Sequence, residues 1–457
     1  MDVYTLAKAI REKKISPVEI VGQTLEAIEK QNETLNAYIT ICAEQARREA
    51  AQAEAEIMRG EWKGIWHGIP VAIKDMIFTE GVRTTMGSQI YEHFVPAYSA
   101  TAVTRWQQAG AIVIGKTNTH EFAYGPTGDV SFFGPSRNPH DPRKITGGSS
   151  GGSGAAVAAG LAYAALGTDT GGSVRIPAAA CGIVGMKPTF GRVSKYGAFD
   201  LGYTLDHVGP MTKSVRDNAS LLQLLAGYDE NDPYTLTQPA DDYAALLGES
   251  VRGKVIGLPL WYYQHVEEEI KQAIQQVAAV YRELGAEIRE VDLPGIDELM
   301  QGQRITIQAE AAAIHERTLR DHADALQPEV RERLMDSTDV RGYQYVQVQQ
   351  RRGQLLAQFN EVFREADVLL TPTLPILPTD IGQRDIMIGD HPDGVRPALL
   401  RLTSPTNFTG NPSLSVPCGF SQTGLPIGFQ LIGEHGQEAK LYQFGYAYET
   451  ATGAIEK

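Results

Sequence analysis

Cysteine is scarce in this sequence. Three residues, Cys42, Cys181 and Cys418, are scattered over 457 positions with no CxxC spacing, so neither a disulfide framework nor a cysteine-based zinc site is available. The ten histidines include no HExxH pair, which removes the helical zinc-hydrolase pattern. Positive charge is also in deficit, with 41 Lys and Arg against 55 Asp and Glu for a formal net charge of −14. No basic surplus exists to displace counterions, so neither nucleic acid nor an anionic membrane is expected as a partner. Long hydrophobic runs are missing too. The longest, Ala155 to Leu166, spans 12 residues and is broken by Gly160, too short for a bilayer. It reads as a buried helix. The opening residues MDVYTLAKAI place an acid at position 2 and offer no apolar core, so no secretory signal is expected. These absences point to a reduced, cytoplasmic protein without metal or cofactor.

What is present is an ordinary globular balance, 42% hydrophobic and 21% charged. Length alone suggests two or three domains, yet no Gly/Ser/Pro linker and no repeat divides the chain. One domain over 1–457 is expected: a helical segment 1–60, a core 65–215, a largely helical cover 229–342, and a C-terminal part of the core 343–457. Ser16-Pro17-Val18-Glu19 has the form of a capping box, followed by Val18, Val21, Leu25 and Ile28 at helical spacing. Gly68 to Ile77 reads as an apolar strand holding Lys74. A helix from Ser99 to Gly110 precedes a strand over Ala111 to Ile114. Lys254 to Leu293 reads as strand, helix and strand, the helix closed by Gly285. Residues 297–363 read as a charged helical lid or wall. Further strands at Asp367–Thr371, Ser413–Pro417 and Pro426–Ile432, with a closing helix over Gln437–Thr450, make the class α/β.

The chemistry concentrates between Lys144 and Pro188. Two turns, Gly147-Gly148-Ser149 and Gly171-Gly172-Ser173, flank an Ala-rich run. Successive N–H groups in such turns make a concavity for negative charge, and a serine there can be a nucleophile whose oxyanion the turn holds. A flexible linker is the plain alternative, but packed apolar segments on both sides argue against it. Gly147-x-Ser149-x-Gly151 also fits a nucleophile elbow, which needs a preceding strand; Pro139 to Ile145 is charged and proline-broken, so no strand is expected there. Gly110 to Thr117 satisfies the P-loop pattern, but its interior is strand-forming, and nucleotide binding is the remote alternative. His207 and His140 are the candidates for a serine–histidine pair, and His207, followed by Val208-Gly209-Pro210, reads as structural. Lys74 either snorkels to water or, if buried, loses its proton and becomes a base.

The motifs GGSSGG and GTDTGGSVRIPAAACGIVGMKPTFGRVS, with GIPVAIKD upstream, closely resemble the amidase signature family of Ser–cisSer–Lys hydrolases. The resemblance runs from about Ser16 to the C-terminus and is weakest between Asp229 and Gly342. It implies a large mixed β-sheet sandwiched between helical layers. It also implies Ser173 as nucleophile, Ser149 as a bridging serine on a cis peptide bond, and Lys74 as base. The N–H groups of Thr170, Gly171, Gly172 and Ser173 would form the oxyanion hole, supported by Ser150, Asp169 and Arg175. The loop Tyr124-Gly125-Pro126-Thr127 would lie at the substrate. Within the family, A subunits of the glutamyl-tRNA(Gln) amidotransferase are similar in part, since Arg352 falls where a glutamine carboxylate would be read. However, Tyr124–Thr127 replaces an expected MGSS, and Leu400 stands near an expected acid. A carboxylate-free pocket would leave a substrate ammonium unpaired. The expectation is therefore a stand-alone amidase for small or aryl amides or carbamates, with a small-molecule partner, a homodimeric state and no nucleic acid. The glutaminase component of the amidotransferase is the alternative.

Overall fold

The computed structural model describes residues 2–453. Among these residues there are fifteen strands. In chain order they are β1 (Tyr38–Ile41), β2 (Pro70–Lys74), β3 (Ile112–Thr117), β4 (Arg137–Asn138), β5 (Asp141–Ile145), β6 (Ala164–Asp169), β7 (Val184–Lys187) and β8 (His207–Thr212). They continue with β9 (Val255–Pro259), β10 (Glu287–Val291), β11 (Val368–Pro372), β12 (Asp385–Ile388), β13 (His391–Gly394), β14 (Ser413–Phe420) and β15 (Pro426–Ile432). Eleven of them form one sheet in the order β1-β3-β2-β6-β8-β7-β14-β15-β11-β9-β10. The sheet is mixed: β2 runs parallel to β3 and β6, and β9 parallel to β10 and β11, while the strands between pair antiparallel. The α/β class and the large mixed sheet are as the sequence implies.

Alternation along the strands explains why helices cover both faces. In β2, Val71 and Ile73 enter one core while Ala72 enters the other; in β6, Ala164 and Leu166 face the first and Ala165 the second. Period-2 side chains that are apolar on both faces require a helical layer on each. The helices Val215–Leu225, Glu268–Glu283 and Glu438–Thr452 supply the first layer, and Pro17–Leu35, Ala43–Met58 and Gly151–Ala158 the second. The unit β9–helix–β10 closes in parallel register, Glu287 opposite Val255, as its sequence pattern predicts.

Three local readings are corrected. The run Ala155–Leu166 is not one helix. Its helix ends at Ala158, Gly160 turns the chain at φ +73°, and Ala164–Leu166 begin β6. Burial rather than helical propensity makes this run apolar, and only glycine takes that backbone cheaply. In the helix Pro17–Leu35, Ser16 Oγ accepts from Val18 N–H at 3.0 Å, but Glu19 accepts from Gln23 instead of closing a box. Val18 is 43% exposed, and the buried stripe is Ile20, Val21, Thr24, Leu25 and Ile28. Finally, a strand does exist within Pro139–Ile145. It is β5, paired with β4 in an outer ribbon and bridged through Lys144 to Asp380, outside the main sheet, where Pro142 and charge are tolerated.

The segment 296–364 is helical, through Ile296–Ile314, Glu316–His322, Pro328–Ser337 and Gly342–Asn360, and its first helix walls the site described next. No helix among the described residues is long and apolar enough to cross a membrane.

Candidate active site

β2 and β6 are adjacent and parallel, with Val71 opposite Ala164 and Ile73 opposite Leu166. Their C-terminal ends therefore open on one edge, the place where α/β sheets hold ligands. Lys74 ends β2, and Thr168 and Asp169 end β6. Lys74 Nζ lies 2.6 Å from Ser149 Oγ and 2.7 Å from Thr168 Oγ1. The lysine is fully buried, so it does not snorkel. Burial pulls its pKa down from 10.5 to about 7, against the opposing pull of Asp169 and Asp206. Near neutrality an appreciable share is an uncharged amine, able to donate to Thr168 and accept from Ser149.

Ser149 follows a cis peptide bond from Gly148 and is wholly buried, whereas Ser173 is 6% exposed. Ser150 ties the parts together. Its Oγ accepts from Thr168 N–H at 3.3 Å, and its N–H donates to the Ser173 carbonyl at 3.3 Å. The hydroxyls of Ser149 and Ser173 share no hydrogen bond in this structure, so one leg of the expected proton path is made and the other is open.

The turn carrying Ser173 is organised by its own acid. Asp169 Oδ1 accepts from Gly172 N–H at 2.8 Å and Oδ2 from Val174 N–H at 3.1 Å. Arg175 grips the same carboxylate with two bonds, Nη2 to Oδ1 at 2.9 Å and Nε to Oδ2 at 3.1 Å, both side chains fully buried. Arg175 holds the Asp169 carboxyl well below the usual carboxylate range. Asn407 Nδ2 donates to the carbonyl and to Oδ1 of Asp169, while Thr403, Thr406, Asn407 and Gln430 accept from Arg175. Gly172 sits at φ +133°, and a Cβ there would lie 2.1 Å from Thr403 Oγ1; no other residue fits. One of the four expected oxyanion donors is therefore already spent, Gly172 N–H on Asp169. The N–H groups of Thr170, Gly171 and Ser173 have no protein acceptor among the described residues.

Several functional neighbours escaped the sequence reading. Thr168 touches Lys74, Thr170 Oγ1 donates to Asp206 Oδ1 at 2.5 Å, and Gln303 Nε2 donates to the Thr170 carbonyl at 3.1 Å. Thr168 could have been found as a polar residue ending a buried strand beside Lys74. Asn407 and Gln303 arrive from remote segments that carry no local signal.

The loop Tyr124–Thr127 lies against the cis-serine segment through backbone. A Cβ on Gly148 would stand 3.1 Å from Gly125 O, and His120 N–H donates to Ser149 O at 3.1 Å. Tyr124 and Thr127 are buried, and the Tyr124 hydroxyl is 2.8 Å from Ser337 Oγ. His207 is structural, as read. Its Nδ1 lies 2.7 Å from Leu205 O and its Nε2 3.2 Å from Lys187 Nζ. His140 Nε2 lies 3.1 Å from the Cys181 carbonyl. Gly110–Thr117 is no phosphate loop: it contains β3, and Lys116 is buried against the Ile77 carbonyl and Thr84 Oγ1. Arg352 donates to Phe408 O and to both oxygens of Thr204, and lines a cavity of about 620 Å³ with Arg192, Tyr234 and His435. Leu400 lies over the turn, its Cδ2 3.2 Å from where a Gly171 Cβ would be.

A buried lysine, two glycine-flanked serines and a carboxylate-braced turn at the end of a mixed sheet describe a class of serine-centred amide-cleaving folds. The chain belongs to the Amidase family, whose model matches residues 19–442. It is 40% identical to the A subunit of the glutamyl-tRNA(Gln) amidotransferase of Geobacter sp. (strain M21), over 99% of this chain and 97% of that protein. The solved A subunit of the Thermotoga maritima glutamyl-tRNA(Gln) amidotransferase is 34% identical with a TM-score of 0.83, covering 98% of this chain and 94% of that one. A structure described as a vestigial protein complex at the origin of an s-triazine catabolic enzyme is 31% identical, with a TM-score of 0.95 and 99% of both chains covered.

These relatives overturn two expectations. A stand-alone amidase does not hold against full-length matches at 38–40% identity that are named as subunits. The departures at Tyr124–Thr127 and Leu400 concern a few side chains, whereas the similarity runs along the whole chain. The exclusion of nucleic acid fails likewise, because tRNA stands in the relatives' name. Net charge speaks to the phosphate contacts a chain makes itself and not to what an assembly carries.

Proposed function

We propose that this chain is the glutamine-hydrolysing component of an amidotransferase of the glutamyl-tRNA(Gln) type, with Ser173, Ser149 and Lys74 as its catalytic residues. The observation that carries this reading is the match to A subunits over essentially the whole of both chains. The 2.6 Å contact between Lys74 and Ser149 supports the chemistry.

A serine hydroxyl needs a base to attack an amide. Neutral Lys74 takes the proton of Ser149, Ser149 takes that of Ser173 after a side-chain rotation of Ser173 closes the open leg, and Ser173 Oγ bonds to the side-chain carbonyl of glutamine. The oxyanion is held by N–H groups of Gly171 and Ser173, with Thr170 at the turn's entrance; such donors contribute about 2.7–4 kcal/mol each. As the tetrahedral intermediate collapses, the C–N bond breaks, and the proton returns through Ser149 to the leaving nitrogen as ammonia. Water then repeats the attack on the acyl-enzyme, releasing glutamate. Arg352, beside the cavity it shares with Thr204 and Phe408, reads the substrate's α-carboxylate. Ser150, Asp169 and Arg175 keep the turn in shape, and Tyr124–Thr127 backs the Ser149 segment.

The tRNA is carried by a partner chain of the assembly, which suits a polypeptide with a net charge of −14. The chain works as one amidase domain in the cytoplasm, where its three unpaired cysteines stay reduced. The test is an assembled complex given glutamine and glutamyl-tRNA(Gln), followed for ammonia, glutamate and amidated tRNA. All three products are expected with the unaltered chain and none with Ser173→Ala. An assembled complex that leaves glutamine intact refutes the proposal.

A further inference from the structure

Asp206 takes no part in the proton path, yet it is bound to the catalytic turn and its charge acts on the base. Its Oδ2 accepts from Leu201 N–H at 2.8 Å and Gly202 N–H at 3.0 Å, and its Oδ1 accepts from Thr170 Oγ1 at 2.5 Å. Its backbone is fixed as well, because the next residue, His207, pairs with Asp169 in the register of β8 on β6. The carboxylate therefore clamps the residue from which the oxyanion turn departs. Gln303 fixes the same residue from the opposite side, through the Thr170 carbonyl.

Two carboxylates bear on the Lys74 ammonium, Asp169 and Asp206. They are not equivalent. Asp169 is neutralised by a two-bond contact with Arg175, and Lys187 also faces it. Asp206 has no cation in contact; the charges acting on it are those of Lys195, itself 3.2 Å from Asp200, and of Asp200. Burial raises the Asp206 carboxyl to about 6, so it is largely ionised where Lys74 titrates. An anion facing a buried ammonium delays its deprotonation.

We propose that Asp206 is a positioning residue of this site: its carboxylate fixes Thr170 at the head of the oxyanion turn, and its charge sets the pH at which Lys74 yields its proton. The proposal rests on the Lys74–Ser149–Ser173 reading but not on the identity of the amide cleaved.

The test is therefore independent of substrate. Ser173 in the full chain is labelled with a fluorophosphonate probe between pH 5 and 9.5, and the rate is followed as Lys74 becomes neutral. Asp206→Asn keeps the shape and removes the charge; the midpoint is expected to move to lower pH by about 0.5–1 unit. Asp206→Glu keeps the charge and should leave the midpoint near that of the unaltered chain. Thr170→Val removes the clamped hydroxyl without disturbing the Leu201–Gly202 bonds; its plateau rate should fall by about fivefold or more, with the midpoint within about 0.3 unit. An Asp206→Asn profile that superimposes on the unaltered one overturns the proposal, as does a Thr170→Val plateau that is unchanged. No labelling in the unaltered chain overturns the Ser173 assignment and this proposal with it.

Discussion

Lys74 should destabilise the protein it serves. Its pKa is about 7 in the fold, against 10.5 for the exposed side chain. At 1.36 kcal/mol per pH unit, that difference is a penalty of about 4–5 kcal/mol below about pH 7, where the lysine is charged in both states. The sign follows from proton counting. The unfolded chain binds the proton more tightly, so stability falls as pH drops from about 10.5 to about 7 and is flat below. Lys74→Met keeps the length and removes the charge. It forfeits the contacts to Ser149 and Thr168, about 1 kcal/mol each, leaving a net gain of about 2–3 kcal/mol at pH 6. Unfolding entropy scales with length, and a chain of 457 residues gains roughly 1 °C per kcal/mol, so Tm should rise by about 2–3 °C. Thermal unfolding of both proteins from pH 6 to 9.5 is the assay. The advantage of the methionine variant should shrink by about 3 kcal/mol across that range and reverse at its alkaline end. A stability difference that does not vary with pH, or a variant less stable already at pH 6, refutes the reasoning.

Ser173→Ala should fold normally and lose at least about 10⁴-fold in ammonia release, read as kcat under saturating glutamine. Asp169→Ala strands the buried Arg175 guanidinium and should cost about 3–5 kcal/mol in urea unfolding. Replacing both partners together, Asp169→Leu with Arg175→Met, should cost less than the single change, while still abolishing turnover. Leu400→Asp places a carboxylate beside Gly171, where a substrate ammonium lacks a partner; KM for glutamine should fall by about tenfold, with little change for an amide that has no amino group.

Where chemistry and local pattern coincide, the sequence was informative. The two glycine–serine turns and the strand lysine are contiguous motifs, and the β9–helix–β10 unit follows from periodicity alone. The errors share a cause. Ala155–Leu166 reads as helix because buried strand and buried helix are equally apolar, and only the backbone at Gly160 separates them. The spent N–H of Gly172 was not legible, because which donors a turn keeps for itself depends on where Asp169 points. The surroundings of Arg175 come from residues more than 220 positions away, and no spacing rule joins them. Composition misled where it was pressed into a statement about partners.

That long reach has a consequence for synthesis. Lys74, Ser149 and Ser173 have all been made once residue 173 has emerged, yet Arg175 finds Thr403, Thr406, Asn407 and Gln430 only after some 255 further residues have been added. Until those acceptors arrive, Arg175 holds only Asp169, and a shorter chain carries the turn with its local bonds made and its long-range ones open.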